Sequence, residues 1–250
     1  MSKRIELKTP AEIEKMRVAG KLLRRVFNEV AKLVAPGVTT AELDRHARSV
    51  IEDAGARPAF LGYKGFPGTL CTSVNEEVVH GIPSDRELLD GDIVSVDCGL
   101  VLDGFYSDTA TTFGVGDISP KAKQLLKVTE ESLYKAIEQM QVGTRVGTVS
   151  NAVQKHAESF GFSIVRDYTG HGIGRSLHEP PQIPNFGRPD TGFKLQAGLV
   201  LAVEPMVNVG TWQTVTLKDN WTVVTADDSL SAHFEHTIAI TEEGPLILTA

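Results

Sequence analysis

The 250-residue chain has the composition of a globular protein and a net negative charge. Apolar residues make up 41% and charged residues 23%, which favours a packed core over a disordered or fibrous chain. The formal net charge is -7, whereas proteins that bind nucleic acids usually carry a basic face. We therefore expect no specific nucleic-acid partner.

Neither a membrane segment nor a disulfide framework is indicated. Residues 1–10 include basic side chains, but no apolar run follows them, and no window approaches the roughly 18 apolar residues of a membrane span. The only cysteines, Cys71 and Cys98, form no CxxC motif. These features favour a cytoplasmic protein without a membrane partner.

Four helices are predicted from capping residues and apolar periodicity. Thr9 and Pro10 begin the first, and its apolar stripe continues through Val34 until Pro36 stops it. The other helices are predicted from Thr39 to near Gly55, from Ser119 to Gly143, and around Val149–Ala157 before Gly161.

A repeated spacing indicates two related halves. Gly37 and Gly143 are separated by 106 residues, as are Gly55 and Gly161. Each pair stops corresponding helices, so each half is expected to have two helices followed by strands. Coincidence remains an alternative for two glycine matches.

The strand pattern completes an α+β fold. Because no Pro/Gly/Ser-rich linker separates the halves, we predict one domain over residues 1–250, with halves at about 1–115 and 116–250. Its helices would lie outside an antiparallel sheet. The predicted strands cover residues 93–100, 105–113, 162–168, 199–207 and 232–241.

The stretch VSVDCGLVLDGFYSD at 94–108 places two carboxylates in a predicted hairpin. The Asp-Gly pair at 103–104 is a strong signal for a two-residue turn. With that turn Asp97 lies opposite Ala110, and Asp108 points to the same face as Asp97. Two carboxylates in one cleft repel each other unless a cation neutralises them, which favours a metal. Solvated residues at the sheet rim remain the alternative.

Further candidate ligands lie in a glycine-rich stretch and in two apolar strands. His171 and His178 lie in YTGHGIGRSLHEPP, where glycines let the backbone approach a ligand. Glu204 and Glu235 stand among apolar strand residues, where an uncompensated carboxylate is costly to bury. For each alone, a packed histidine or a solvent-facing glutamate is the alternative. Two aspartates, one histidine and two glutamates together suit a pair of divalent metal ions.

Five segments carry a family resemblance: CTSVNEEVVHGIP, DGDIVSVDCGLVLDGFYSDTATTF, YTGHGIGRSLHEPP, LVLAVEPMV and DNWTVVTADDSLSAHFEHTIAIT. They resemble segments of the type I methionine aminopeptidases and occur in that family's order. The resemblance extends over essentially the whole chain. It implies the pita-bread fold, in which two pseudo-symmetric halves form a curved antiparallel sheet covered by helices. It also implies a cytoplasmic hydrolase that removes the initiator methionine from nascent proteins with a small second residue.

The resemblance implies a dinuclear metal site. Asp97 would hold one ion, and Asp108 and Glu235 would bridge both. His171 and Glu204 would complete the coordination of the other. Cobalt, manganese, iron and zinc all suit this donor set. The ions would activate a water molecule, and Glu204 would accept its proton.

The resemblance also implies roles for two histidines and an apolar pocket. His80 would contact the substrate amide and help protonate the leaving amine, and His178 would stabilise the oxyanion. Aromatic walls would favour the methionine thioether. Leu177 replaces a phenylalanine, and Phe66 a tyrosine, that are usual in the family, so the pocket is expected to differ in shape from that of most members. The residues implied for the pocket are Phe60, Tyr63, Phe66, Cys71, Leu177 and Trp221.

Two alternative functions remain open. X-Pro aminopeptidases and dipeptidases share the fold and the metal set, but they usually carry a large N-terminal domain, whereas the first predicted cap here is Thr9. A catalytically inactive relative that binds a partner is the second. For the preferred function, the expected partners are N-terminal methionyl peptides and nascent chains, with contact at the ribosome as an open question. The expected state is a monomer.

Overall fold

The computed structural model describes residues 5–250; residues 1–4 of the basic N-terminal stretch lie outside this range. Within residues 5–250, none of the helices combines the length and hydropathy needed to cross a bilayer. The helices are α1 (Pro10–Ala31), α2 (Thr40–Asp53), α3 (Pro120–Glu138) and α4 (Val146–Ser159). The strands are β1 (Arg57–Pro58), β2 (Leu70–Val74), β3 (Glu77–Val79), β4 (Ile93–Leu102), β5 (Phe105–Gly114), β6 (Ser163–Ile164), β7 (Gly170–Gly172), β8 (Glu179–Ile183), β9 (Val200–Val203), β10 (Met206–Asn208), β11 (Thr214–Thr216), β12 (Val223–Thr225), β13 (Ser231–His233), β14 (His236–Thr241) and β15 (Gly244–Ile247).

The predicted starts of α1, α2 and α3 are confirmed, whereas α1 and α3 both end earlier than predicted, α3 at Glu138 instead of next to Gly143. At the start of α1 the Thr9 hydroxyl accepts from the Glu12 N–H, and the Glu12 carboxylate accepts from the Thr9 N–H. The same capping box begins α2. However, α1 ends at Ala31, and Val34 follows it in a turn region. Pro36 disfavours helical backbone in the residue before it, so the helix ends earlier than its apolar stripe.

The strands form antiparallel ladders, as predicted. They group into four hydrogen-bonded sheets: β1, β4, β2 and β5; β15, β14, β9, β7 and β8; β13, β10 and β6; and β11, β12 and β3. Every pairing between these strands is antiparallel. The α+β class with antiparallel sheets is therefore confirmed.

Two of the predicted strands are interrupted at a glutamate. The strand predicted over 199–207 is divided into β9 and β10 by Glu204 and Pro205, and the strand predicted over 232–241 is divided between β13 and β14 next to Glu235. Pro205 has no N–H to donate to a ladder, which accounts for the first break. Each glutamate thus lies where its strand leaves the regular ladder. The strand predicted over 162–168 is reduced to β6.

The hairpin of β4 and β5 has the predicted register. Asp97 pairs with Ala110, and Leu102 pairs with Phe105. Asp103 and Gly104 form the turn with φ of 50° and 80°, the left-handed conformations that a two-residue type I′ turn requires. Asp97 and Asp108 therefore lie on one face of the hairpin.

The opposite face of β4 is buried under helices. Its apolar residues Val94, Val96, Cys98 and Leu100 are buried in one core cluster with α1 and α2. A second cluster joins α3 and α4 to β9, β13 and β14. The helices α2 and α4 are each 14 residues long, and they begin at residues 40 and 146. The division into two related halves within one domain stays a prediction.

Gly20 provides a test of how α1 packs on the C-terminal residues. A Cβ at this position would overlap the backbone carbonyl of Leu248. Glycine to alanine in a helix normally stabilises by about 1 kcal/mol, but here we expect Gly20→Ala to cost about 1–3 kcal/mol and to lower Tm by about 2–4 °C per kcal/mol. Val18→Ala, an exposed position on the same helix, should change Tm little. Thermal unfolding followed by circular dichroism measures both, and a Gly20→Ala variant as stable as wild type would contradict this packing.

Candidate metal centre and active site

One pocket collects all the residues that the sequence predicted for the site. It lies between the face of the β4–β5 hairpin and the strand breaks at Glu204 and Glu235. Lys64 is the only lining residue that the sequence analysis did not include. The lining residues are Phe60, Tyr63, Lys64, Phe66, Cys71, His80, Asp97, Asp108, His171, Leu177, His178, Glu204, Trp221 and Glu235.

Sheet hydrogen bonds bring the ligand candidates together from distant parts of the chain. Asp97 and Asp108 come from β4 and β5, and His171 from β7. β7 pairs with β9, so His171 faces Ala202, two residues before Glu204. An isolated backbone bridge joins Ala110 of β5 to Glu235. The pocket floor is therefore formed where the sheet that contains β4 and β5 meets the sheet that contains β7, β9 and β14.

Three of these side chains are close enough to share one ion. One potential ligand atom from each of Asp108, His171 and Glu235 lies within 4.8 Å of the others. Glu204 joins this group, because its Oε1 is 3.6 Å from His171 Nε2. His171 Nδ1 is 2.9 Å from the Gly172 carbonyl oxygen, which is its acceptor when Nδ1 carries the proton. In that tautomer the Nε2 lone pair faces the carboxylates.

The carboxylates have strongly perturbed acidities. Burial, partly offset by hydrogen bonding with Asp97, raises the pKa of Asp108 to about 7. Burial, and to a smaller extent repulsion from neighbouring carboxylates, raises the pKa of Asp97, Glu204 and Glu235 well above the usual value. Such a cluster is unfavourable when ionised unless a cation neutralises it.

Unpartnered oxygens show that the donor set fits divalent ions. Asp97 Oδ1, Asp108 Oδ1 and Glu235 Oε1 are buried and have no hydrogen-bond partner among the described residues. Buried polar atoms are normally paired, with protein, ordered water or an ion. Carboxylate oxygens with one imidazole nitrogen form a donor set for hard or borderline divalent metals. The site therefore has the chemistry of a metal centre.

Two further histidines line the pocket above the carboxylates. Burial lowers the pKa of His80 to about 4, and desolvation lowers the pKa of His178, at the exposed rim, to about 3. Both rings are thus neutral near pH 7. The Tyr63 hydroxyl is 3.1 Å from His178 Nδ1, and the two rings stack. The His80 ring packs edge-on against Trp221.

The pocket walls above the metal centre are apolar and aromatic. Phe60, Phe66, Cys71 and Leu177 belong to one buried cluster, and Tyr63 and Trp221 pack against it. Phe66 and Trp221 meet in an edge-to-face pair with ring centres 5.1 Å apart. Burial and the nearby carboxylates raise the pKa of the Cys71 thiol, so it remains a neutral wall residue. The predicted pocket residues are thus brought together.

Lys64 is a pocket residue that sequence reasoning missed. It lies in a short 3-10 turn, Tyr63–Gly65, with a positive φ of 50°. Its ammonium group contributes to the lowered pKa of His80 and His178. A single lysine beside a glycine carries no chemical signature in the sequence, because its position depends on the backbone of the turn.

The comparisons identify the class of protein. A model of metallopeptidase family M24 matches residues 14–242, and the chain belongs to this family. Along its full length it is similar to methionine aminopeptidases. That of Clostridium perfringens is 56% identical over 245 residues, which cover 98% of each chain. The crystal structure of methionine aminopeptidase from Rickettsia prowazekii has a TM-score of 0.98 at 46% identity and covers 99% of this chain and 100% of its own.

The comparisons also confirm the predicted pita-bread fold. A more distant match is X-Pro aminopeptidase from Thermotoga maritima, with a TM-score of 0.77 at 22% identity. The match covers 98% of this chain but 62% of that one. It shows the shared fold alone.

The acidity of Asp108 gives a prediction for the metal-free protein. The pKa of Asp108 in the folded protein is about 7, above the usual 3.8, because the folded state disfavours the ionised carboxylate. Asp108 therefore destabilises the fold increasingly as the pH rises from the lower of these values to the higher. We expect Asp108→Asn to raise Tm in the presence of a chelator, and more at pH 8 than at pH 5. The control is Asp117→Asn, because Asp117 is exposed and paired with Lys123. A Tm gain that is equal at both pH values, or absent, would contradict the burial of an unpaired carboxylate.

Proposed function

We propose that the chain is a methionine aminopeptidase that removes the N-terminal methionine from peptides and nascent proteins with a small second residue. The observation that carries this proposal is the convergence of four carboxylates and one imidazole below an apolar, aromatic pocket. The full-length similarity to methionine aminopeptidases supports it. The chain is therefore a metal-dependent hydrolase.

Five side chains are proposed to hold two divalent ions. Asp108 and Glu235 would contact both, as the resemblance to the family implies, and one potential ligand atom of each lies within 4.8 Å of the other. Asp97 would complete one site, and His171 with Glu204 the other. When bound, the ions supply Lewis acidity, which makes a water molecule acidic enough to ionise near neutral pH and polarises the scissile carbonyl. Cobalt, manganese, iron and zinc all fit these donors.

The two neutral histidines are proposed to handle protons and charge at the scissile bond. If the Tyr63 hydroxyl donates to His178 Nδ1, the proton of the neutral ring is on Nε2. His178 can then donate that proton in a hydrogen bond to the developing oxyanion. His80 would contact the substrate amide and help protonate the leaving amine. Glu204 would accept the proton of the attacking water.

The pocket is proposed to select methionine at the first position. Its walls combine aromatic edges with the neutral Cys71 thiol, and a polarizable thioether gains from such contacts. The free amino group of the substrate would be bound beside Asp97, which restricts cleavage to the first residue. Contact with the ribosome, a monomeric state and a cytoplasmic location remain expectations from the family resemblance.

Peptide hydrolysis tests the proposed activity against the X-Pro alternative. With Mn²⁺ present, we expect kcat/KM for Met-Ala-Ser to exceed that for Ala-Pro tripeptides by on the order of 100-fold, because the pocket is shaped for a long apolar side chain. Release of free amino acids measures both rates. Preference for the proline substrate would refute the proposal, and a protein inactive on both would leave the non-catalytic alternative standing.

A kinetic variant tests the role of His178. His178→Ala should reduce kcat by about 10²- to 10³-fold with a smaller change in KM, because an oxyanion donor acts mainly in the transition state. His156→Ala is the control, since His156 pairs with Glu131 on the helices away from the pocket. Steady-state hydrolysis of Met-Ala-Ser measures both variants. A His178→Ala enzyme with unchanged kcat and raised KM would assign the residue to ground-state binding instead.

A further inference from the structure

At the candidate metal centre, β5 and the segment around Glu235 are joined by a single backbone pair, that of Ala110 and Glu235. The Glu235 N–H donates to the Ala110 carbonyl at 3.0 Å, and the Ala110 N–H donates to the Glu235 carbonyl at 3.4 Å. This pair is an isolated bridge and belongs to no continuous ladder. Residues 108–112 of β5 and residues 233–237 of the facing segment run antiparallel on either side of it.

A threonine hydroxyl replaces the next rung on each side of this bridge. On one side, Thr237 Oγ1 donates to the Asp108 carbonyl at 2.7 Å and accepts from the Asp108 N–H at 3.1 Å. On the other side, Thr112 Oγ1 donates to the His233 carbonyl at 2.9 Å and accepts from the His233 N–H at 2.9 Å. Each hydroxyl therefore satisfies both peptide groups of the residue that it faces.

The two threonines occupy equivalent register positions on opposite strands. In the antiparallel register set by Ala110 and Glu235, residue 108 faces 237 and residue 112 faces 233. A side-chain hydroxyl between two backbones holds them farther apart than a direct peptide pair would. Each hydroxyl therefore acts as a spacer between β5 and the facing segment, next to the backbone of Asp108 on one side and of His233 on the other.

Burial makes these contacts consequential. Thr237 is 0% exposed and Thr112 is 3% exposed, so water cannot take over their hydrogen bonds. Thr237 is held in turn by the C-terminal residues, because its N–H donates to Thr249 Oγ1 at 3.2 Å. Thr112 Oγ1 lies 2.8 Å from the Ser95 hydroxyl of β4. Both threonines are thus fixed from two sides.

We infer that Thr237 and Thr112 are positioning residues that set the separation of Asp108 and Glu235 and thereby the affinity for a pair of divalent ions. This inference rests on the proposed function, in which those two carboxylates contact both ions. Thr237 acts on Asp108 directly. Thr112 acts through His233, two residues before Glu235, so its effect is smaller.

The test uses the full chain freed of metal and titrated with Mn²⁺. Electron paramagnetic resonance reports free Mn²⁺ and the spin coupling of an ion pair, and isothermal titration calorimetry reports the affinity. Thr237→Val keeps the shape of the side chain but removes both hydrogen bonds. We expect it to weaken Mn²⁺ binding about 10- to 100-fold, the range usual for groups that orient metal ligands, and to diminish the coupled signal. Thr237→Ser, which keeps the hydroxyl, should restore binding to within a few-fold.

The control is Thr129→Val on α3. Thr129 is also 0% exposed, and its hydroxyl donates to a backbone carbonyl, that of Leu125, within the helix. It should bind Mn²⁺ as wild type does, although its Tm can fall. If Thr237 only supports the fold, Thr237→Val should lower Tm as Thr129→Val does and leave the affinity for Mn²⁺ unchanged.

The outcomes separate this inference from the proposed function. Unchanged Mn²⁺ affinity in folded Thr237→Val, or equal losses in Thr237→Val and Thr129→Val, would overturn the positioning role while wild-type activity stands. If Thr237→Val does not fold, the same titration is made with Thr112→Val. Mn²⁺ binding that is weakened in Thr112→Val and restored in Thr112→Ser supports the inference, and unchanged Mn²⁺ binding in Thr112→Val overturns it. A wild-type protein that binds no Mn²⁺ and releases no methionine would overturn both.

Discussion

The mutual repulsion of carboxylates gathered around one imidazole is the constraint on which this structure depends. Burial raises the pKa of all four acidic groups in the pocket, and repulsion from neighbouring carboxylates raises it further at Asp97, Glu204 and Glu235. Left alone, such groups hold protons or push apart. A bound divalent cation would reverse this preference, because the same oxygens then become ligands. The repulsion that destabilises the metal-free cluster is relieved when metal binds, and this relief favours metal binding.

The fold withstands this repulsion by supporting the cluster from several directions. One apolar cluster packs against β4, and a second packs against β9, β13 and β14. The backbone bridge between Ala110 of β5 and Glu235 connects these two groups of strands. The loop that carries His178 is also tied down. Lys8, with 1% of its side chain exposed, forms an ion pair with Glu179 at 2.6 Å, and the same carboxylate accepts the N–H of Arg175 and Ser176. The histidine is therefore held against the metal centre by the N-terminal segment.

Local signals in the sequence were sufficient for part of the site. The Asp-Gly turn fixed the hairpin register, and with it the shared face of Asp97 and Asp108, because a two-residue turn leaves one pairing. Glu204 and Glu235 became candidates because an uncompensated carboxylate is costly to bury in an apolar strand, and His171 because it lies in a glycine-rich stretch. The roles of the aromatic pocket residues came from family resemblance, since an aromatic residue in a sequence is equally suited to a core.

Other features depend on contacts between distant segments and had no local signal. The strands around Glu204 and Glu235 were predicted to be continuous, whereas each is broken at the glutamate. Lys64 enters the pocket through a turn with positive φ. Thr237 and Asp108 are 129 positions apart, and a threonine in an apolar strand is indistinguishable from an ordinary sheet residue until its partner is seen. Such long-range pairings are defined by the folded structure.

Anomalous diffraction from crystals grown with manganese would locate the metal ions among the five proposed ligands. We expect two peaks about 3.5–4 Å apart, both within coordination distance of Asp108 and Glu235. One ion should contact Asp97 and the other His171. Crystals that diffract well but show no anomalous peak among these side chains would refute the proposed metal centre.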